Sequence, residues 1–309
     1  MYIKKILKRL RNLLLASIMK NFYDGLLFSG GLDTSILAAF NKKAVALTVS
    51  LGKYSTDIYY ANLLAKKLKL KYVHCRVDVD GALAAIPKVI KILKSFDPAL
   101  PNDLAIYFGI KKAKQIGLTS IATGDASDEL FGGYYFMQKI DDLNSYIAKI
   151  VKAMEFSSNK IAKFFGLKIV QPFADSAMID FALKLPASLK IHKENGKIWG
   201  KWILRKAFED ILPKKIIWQS KRPIEYGSNM THLRKIIEAK ILDEEFKEKQ
   251  LLYPVKFLNK EHLYYYEIYR KVVGDIPKSN TLYRCPGCGG GLKIGAFHCK
   301  VCGYVLNFL

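Results

Sequence analysis

Ser29-Gly30-Gly31-Leu32-Asp33-Thr34-Ser35 is the stretch whose reading decides the fold. Before it, the apolar run 24–28 (DGLLF) reads as a short strand; after it, residues 34–41 read as a helix. Two glycines in a strand-to-helix turn let the backbone approach a phosphate closely. The amides of the helix N-terminus, with the hydroxyls of Ser29 and Thr34, can then donate to the anion. Asp33 adds a carboxylate able to hold magnesium beside the phosphates. The loop is not the G-x-x-x-x-G-K-S/T type and lacks that loop's lysine.

The chain around it alternates strands and helices. Residues 44–51 (AVALTVSL), 72–78 (YVHCRVD) and 119–123 (TSIAT) read as strands, and 56–69, 80–95 and 103–117 as helices. DPALPND is a proline-rich break. Such alternation predicts an α/β fold with a parallel twisted sheet covered by helices on both faces. Ligands in such folds sit beyond the carboxyl ends of the strands. SGGLDTS and a second polar loop, GDASDELFGGY, fall there. From residue 135 to about 270 the pattern turns helical, with helices expected at 200–210 and 230–248 and a basic loop at LPKKIIWQSKRPIEYGSN.

The two loops carry a family resemblance. SGGLDTS resembles the pyrophosphate loop of the N-type ATP pyrophosphatases (PP-loop enzymes), which split ATP between the α and β phosphates. Gly124-Asp125-Ala126-Ser127-Asp128-Glu129-Leu130-Phe131-Gly132-Gly133-Tyr134 resembles the G-E-G-x-D-E-x-F-G-G-Y signature of asparagine synthetases and β-lactam synthetases. QPFADSAMIDFALKLPASLKI resembles that family's P-F-L-D segment, and GKWILRKAFEDILPKKIIWQSKRPI its K-x-x-L-R…LP…I-x-x-R-x-K segment. The match runs over roughly residues 20 to 240, in the family's order.

The resemblance implies an adenine nucleotide alpha hydrolase-like fold and a ligase that activates a carboxylate. The carboxylate attacks the α-phosphate of ATP to give an acyl-adenylate and pyrophosphate, and ammonia or an amine displaces AMP. An anion attacking a polyanion needs positive charge and aligned amides. Carried over, Ser29, Gly30, Gly31, Asp33, Thr34 and Ser35 form the pyrophosphate cradle. Asp33 and Asp128 match magnesium-binding carboxylates, and Phe28, Val49, Thr123 and Gly124 match the contacts to adenosine. Lys221 matches a catalytic mobile-loop lysine. Asp125 stands where the family has glutamate, keeping the charge on a shorter reach. Glutamine-dependent relatives begin with a glutaminase whose nucleophile is the Cys after the initiator Met. Here residue 2 is Tyr2, so the expected nitrogen source is ammonia, a separate glutaminase or an amine other than ammonia, and the carboxylate is expected to be small or borne on a carrier protein.

The last 25 residues hold Cys285, Cys288, Cys299 and Cys302 in a C-x2-C-x10-C-x2-C pattern. Each C-x2-C pair aims two thiolates at one metal, and four thiolates suit tetrahedral zinc at a closed, structural site. A tail this short buries little core, so the metal would supply its folding energy. His298 is expected not to be a ligand. The expected divisions are a basic amphipathic helix over 1–22, the ATP pyrophosphatase domain over 23–272, a polar linker around Asp275, Pro277 and Ser279, and a zinc ribbon over 280–309. Cys75 is expected to be a small buried hydrophobe.

Fifty Lys plus Arg against 27 Asp plus Glu give a net charge of +23 on 309 residues. That surplus favours a polyanionic partner. With the ribbon it supports an alternative: an ATP-dependent enzyme modifying tRNA or another RNA, with the ribbon as grip. HLYYYEIYRK (262–271) could stack bases, but its spacing more often marks a packing face. Apolar residues at 50% and charged residues at 25% exclude collagen and disordered chains. No apolar run of membrane-spanning length occurs, and a cytoplasmic location is expected. Ile3, Ile6, Leu7, Leu10, Leu14 and Ile18 recur at helical spacing, predicting a helix that docks on the core.

Overall fold

The computed structural model describes residues 2–194, 196–277, 283–293, 296 and 298–306. The chain runs α1 (Tyr2–Lys20), β1 (Gly25–Leu27), α2 (Leu32–Phe40), β2 (Val45–Leu51), α3 (Thr56–Leu68), β3 (Tyr72–Val77), α4 (Val79–Leu93), α5 (Leu100–Gln115) and β4 (Ser120–Ala122). It continues through α6 (Ser127–Phe131), α7 (Leu143–Ala153), α8 (Ser157–Phe165), β5 (Lys168–Val170), α9 (Ser176–Lys184) and α10 (Ala187–Lys190). A hairpin, β6 (His192–Glu194) and β7 (Lys197–Trp199), leads into α11 (Trp202–Phe208), α12 (Lys214–Ile217), α13 (Ile224–Gly227), α14 (His232–Glu238), α15 (Asp243–Leu252) and α16 (Lys260–Val272).

Five strands form one parallel sheet in the order β3-β2-β1-β4-β5. All seven residues of β2 are buried, as a strand covered on both faces requires. The strand order reverses at β1, which pairs with β2 on one side and β4 on the other. A crevice opens beyond the carboxyl ends of the strands at such a switch point. The loop 28–31 leaves β1 there, and the loop 123–126 leaves β4 beside it.

Several expectations need adjustment. β5 was not expected, and three residues carry too little pattern to show it. The helix expected to start at residue 103 starts at Leu100, because Pro101 sits in the first turn, where its missing N–H costs nothing. The helix expected over 230–248 is two, α14 and α15, with Asp243, Glu244 and Glu245 opening the second as first-turn acids. The basic loop contains the single-turn helices α12 and α13. The linker residue Ser279 and the boundary at 280 lie outside the described residues.

The amphipathic helix α1 buries Leu10, Leu14 and Ile18 in the same core as β1, α2 and α11. Arg11 bonds the Ala207 carbonyl and pairs with Asp210, closing the helix onto α11. In α16, Tyr265 and Tyr269 are fully buried, and Tyr266 and Tyr269 meet Phe96 edge-on. This tyrosine stretch is therefore a packing face. Among the described residues no helix is long and apolar enough to cross a membrane.

If α1 is integral to the core, Leu14→Ala should cost about 2–5 kcal/mol in urea unfolding. Leu15→Ala, on the solvent side at 38% exposure, should change stability by less than about 0.5 kcal/mol.

Candidate active site

A cavity of about 1200 Å³ occupies the switch-point crevice. Most of the residues singled out in the sequence meet on its wall. Phe28, Ser29, Gly31, Asp33 and Thr34 come from the first loop, Val49 from β2, and Thr123, Gly124, Asp125 and Asp128 from the second. Lys221 joins them from the segment after α12. Gly30 and Ser35 do not reach the wall. Gly30 adopts φ +66°, and a Cβ there would lie 2.5 Å from the Ala61 amide nitrogen, so only glycine lets the loop cross α3 so closely. Ser35 is fully buried and its Oγ has no hydrogen bond among the described residues.

The phosphate loop holds its own shape. Ser29 Oγ accepts from the Gly31 amide at 3.2 Å and lies 3.4 Å from Thr34 Oγ1. The carbonyl of Gly30 accepts from Gln219 Nε2 at 2.9 Å. Gln219 in turn accepts from Arg222 at 2.5 Å, and Arg222 pairs with Asp57 of α3 at 3.2 Å while lying over the Tyr60 ring. The segment carrying Lys221 is thus tied back to the loop that it faces. Burial pushes the Asp57 carboxyl up to about 6, with Arg222 opposing the rise.

Asp33 and Asp128 converge on one cation, Lys201. Its Nζ lies 2.6 Å from Asp33 Oδ2 and 2.8 Å from Asp128 Oδ1. Asp128 Oδ2 accepts from Lys221 at 2.7 Å, and Asp33 Oδ1 accepts from Ser127 at 2.7 Å. Burial alone would raise the Asp128 carboxyl, but the ammonium groups of Lys201 and Lys221 outweigh it and hold it far below the carboxylate range. The backbone positions Lys201. Its amide donates to the Phe131 carbonyl at 3.0 Å, and it adopts φ +55° at the start of α11. Ala126, opening α6, has φ +72°. Two non-glycine residues in the left-handed region flank one site, where such costs concentrate. Gly133 makes room for the pair: a Cβ there would lie 1.9 Å from Asp128 Oδ1 and 2.4 Å from Lys201 Cε.

Asp125 is fixed through one oxygen. Its Oδ2 accepts from Thr123 Oγ1 at 2.6 Å, Ser158 Oγ at 2.6 Å and Gln171 Nε2 at 2.8 Å. Glu129 accepts from the Tyr134 hydroxyl at 2.8 Å, and the Lys221 ammonium lies 5.5 Å from the centre of the Tyr134 ring. Burial, with Asp128 nearby, pushes the Glu129 carboxyl up.

Sequence reasoning missed Lys201, Arg205 and Ser127 as site residues. Lys201 and Arg205 are the K and R of the K-x-x-L-R segment, so the signal was present. Arg205 is buried, donates to the carbonyls of Gly200 at 2.9 Å and Gln219 at 3.1 Å, and lies against Trp199.

The donor set fits magnesium. Asp33 from the first loop and Asp128 from the second offer carboxylate oxygens, the donor type magnesium prefers. Asp128 Oδ1 is buried and faces the Lys201 ammonium at 2.8 Å.

The cysteine tail forms two turns, in which the Cys285 amide donates to Gly290 O and the Cys299 amide to Tyr304 O. The four Sγ atoms lie within 4.8 Å of one another and all four residues are buried. Cys285–Cys302 at 3.5 Å and Cys288–Cys299 at 3.9 Å bracket the sulfur separation of about 3.8 Å expected around a tetrahedral zinc. His298 pairs instead with Asp97, Nε2 to Oδ2 at 2.8 Å. Cys75, half-buried in β3, donates to the Phe108 carbonyl at 3.7 Å, and burial raises its thiol.

Fold and site together define a nucleotide-binding α/β protein of the pyrophosphate-loop kind. The family model described as asparagine synthase matches residues 19–158 and 148–263, and the chain belongs to that family. A probable asparagine synthetase (glutamine-hydrolyzing) of Dictyostelium discoideum is 28% identical over 273 residues, covering 77% of this chain and 49% of that protein. Asparagine synthetase B (glutamine-hydrolyzing) of Escherichia coli (strain K12) is 26% identical over 284 residues, covering 82% and 51%. The chain thus spans about half the length of the curated relatives it matches. A solved NH3-dependent NAD synthetase from Campylobacter jejuni subsp. jejuni NCTC 11168 aligns at 12% identity with a TM-score of 0.31, over 74% of this chain and 96% of that one.

Lys201→Met leaves two buried carboxylates facing each other and should cost about 3–5 kcal/mol in chemical unfolding. Millimolar Mg²⁺ should raise the melting temperature of this variant more than that of the wild type. Equal shifts would mean that the two carboxylates do not hold the ion. Zinc should be present at one ion per chain by elemental analysis. Cys302→Ser should lose it and melt at least about 4 °C lower.

Proposed function

We propose that the chain is an ATP-dependent carbon–nitrogen ligase that adenylates a substrate carboxylate, releasing pyrophosphate, and passes the acyl group to ammonia or an amine, releasing AMP. The observation that carries this reading is the meeting of Asp33 and Asp128, from the two loops at the switch point, on the ammonium of Lys201. Carboxylates and lysines so close-set suit a polyphosphate and its counter-ion better than an uncharged ligand.

In this reading the residues divide the work by charge. Ser29, Thr34 and the amides following Gly31 cradle the β and γ phosphates, with Gly30 and Ser35 shaping the loop from behind. Phe28, Val49, Thr123 and Gly124 line the adenosine end. Asp33 and Asp128 hold magnesium, which when bound neutralises phosphate charge. The substrate carboxylate attacks the α-phosphorus, the bond to the bridging oxygen breaks, and its electron pair leaves with pyrophosphate. Lys221, within reach of Asp128, meets the negative charge that builds at the α-phosphate. Lys201 and Arg205 add fixed positive charge. The amine nitrogen then attacks the acyl carbon, AMP departs, and the nitrogen gives up a proton. Asp125, held by three donors on Oδ2, offers its other oxygen to that proton. Zinc on the four cysteines serves structure.

The test is release of pyrophosphate and AMP from Mg²⁺-ATP, with L-aspartate plus ammonium or bulk tRNA as the added substrate. Stimulation by aspartate plus ammonium, with asparagine formed, is the expected result, and Lys221→Ala should lower kcat at least about 100-fold. Stimulation by tRNA alone would move the chemistry to RNA. Hydrolysis to ADP and phosphate, without AMP, would overturn the reading.

A further inference from the structure

The cysteine tail is knitted into the domain rather than hung from it. The Phe96 amide donates to the Val301 carbonyl at 2.7 Å, and Ser95 Oγ donates to the same carbonyl at 3.2 Å. The Lys256 amide donates to Gly287 O at 2.8 Å. The four cysteines share a core cluster with Phe96, Tyr266 and Tyr269. A Cβ on Gly303 would lie 2.5 Å from Asp97 Oδ1, so the second turn presses directly on the α4–α5 connection.

This docking brings His298 and Lys300 to the wall of the same cavity that holds the phosphate loop. The cavity, at about 1200 Å³, exceeds the roughly 300–1000 Å³ usual for one small ligand, so it has room for two. The tail and the reacting end share this wall. Asp125 is held by Ser158. The neighbouring Ser157 lines the cavity together with Asp103, Asp97, His298 and Lys300. That end of the wall carries the carboxylates of Asp97, Asp103 and Glu155 together with the ammonium groups of Lys160 and Lys300. Groups of both signs match a ligand carrying both signs. The carboxylates would repel a polyanion, whose backbone needs uniformly positive charge.

We propose that the ribbon is a wall of the reaction cavity, and that Lys300 and His298 help select the second substrate, a small zwitterion of the amino-acid class. The proposal rests on the ligase reading for the word substrate, but not on turnover for its test. Protein saturated with Mg²⁺ and α,β-methylene-ATP, which cannot release pyrophosphate, is titrated calorimetrically with each of the common amino acids. At least one should bind. Lys300→Ala should weaken that amino acid at least about tenfold, while the affinity for the nucleotide analogue stays within about twofold. Lys300→Arg should keep most of the affinity. Zinc content and melting temperature equal to the wild type show that the ribbon is intact in each variant. Should Lys300→Ala lose zinc, His298→Gln is read against the same criteria.

Three outcomes overturn the proposal: no amino acid binds the wild type, the variant weakens the nucleotide instead, or both affinities are unchanged. Failure of the ligase reading looks different. An amino acid then binds and responds to Lys300, yet no pyrophosphate appears with hydrolysable ATP.

Discussion

Two carboxylates from loops far apart in sequence, Asp33 and Asp128, meet on the cavity wall, and Lys201 makes that arrangement stable. Unpaired, Asp33 and Asp128 would repel each other in a partly desolvated place, and one would take up a proton. With the ammonium between them that repulsion is offset, and Asp128 stays ionised far into acid. The rest of the site serves this contact. Gly133 clears the space, the backbone bond from Lys201 to Phe131 sets the height of the lysine, and Ser127 occupies the remaining oxygen of Asp33. The left-handed backbone of Ala126 and Lys201 is the conformational cost of the arrangement.

The sheet explains why the two loops are neighbours. β1 and β4 are adjacent although α2, β2, α3, β3, α4 and α5 lie between them in the chain. Reversal of strand order leaves the mouth between their carboxyl ends uncovered, and both loops project into it. The Lys221 segment then covers the mouth from the helical half, anchored through Gln219 to Gly30 and through Arg222 to Asp57. In the proposed reaction, a lysine delivered by such a segment would stand at a controlled distance from the phosphates. Its anchor lies on the SGGLDTS loop, so the segment that bears the lysine is tied to that loop.

Much of this was legible in the sequence, and the limits are physical. β2 announces itself because seven consecutive residues are buried and five of them are apolar, with only Thr48 and Ser50 between. β5 does not, because three residues, one of them an exposed lysine, carry no period. The break between α14 and α15 was hidden because apolar spacing continues across it, while the acids at 243–245 that start a new helix also suit an exposed helix face. Loops placed by short-range chemistry, SGGLDTS and GDASDELFGGY, could be assigned to one end of the sheet. Lys201 could not be assigned a partner. It stands 168 residues from Asp33, and nothing local distinguishes it from the many other lysines of a chain with net charge +23. Only the K-x-x-L-R context pointed to it.

The cysteine tail shows the same limit more sharply. Its spacing states the metal chemistry and nothing about location. A metal-closed module of this size could hang on a linker and grip a separate polymer, which the overall charge would favour. What decides its position is packing. Phe96 and the tyrosines of α16 present an aromatic face, and the two cysteine turns bury that face. Once they do, the residues beside the cysteines are carried with the turns. His298 is drawn to Asp97, and Lys300 follows Cys299 onto the cavity wall. A four-cysteine cluster docked on the α/β domain thereby places side chains on the cavity wall by holding the turn that bears them.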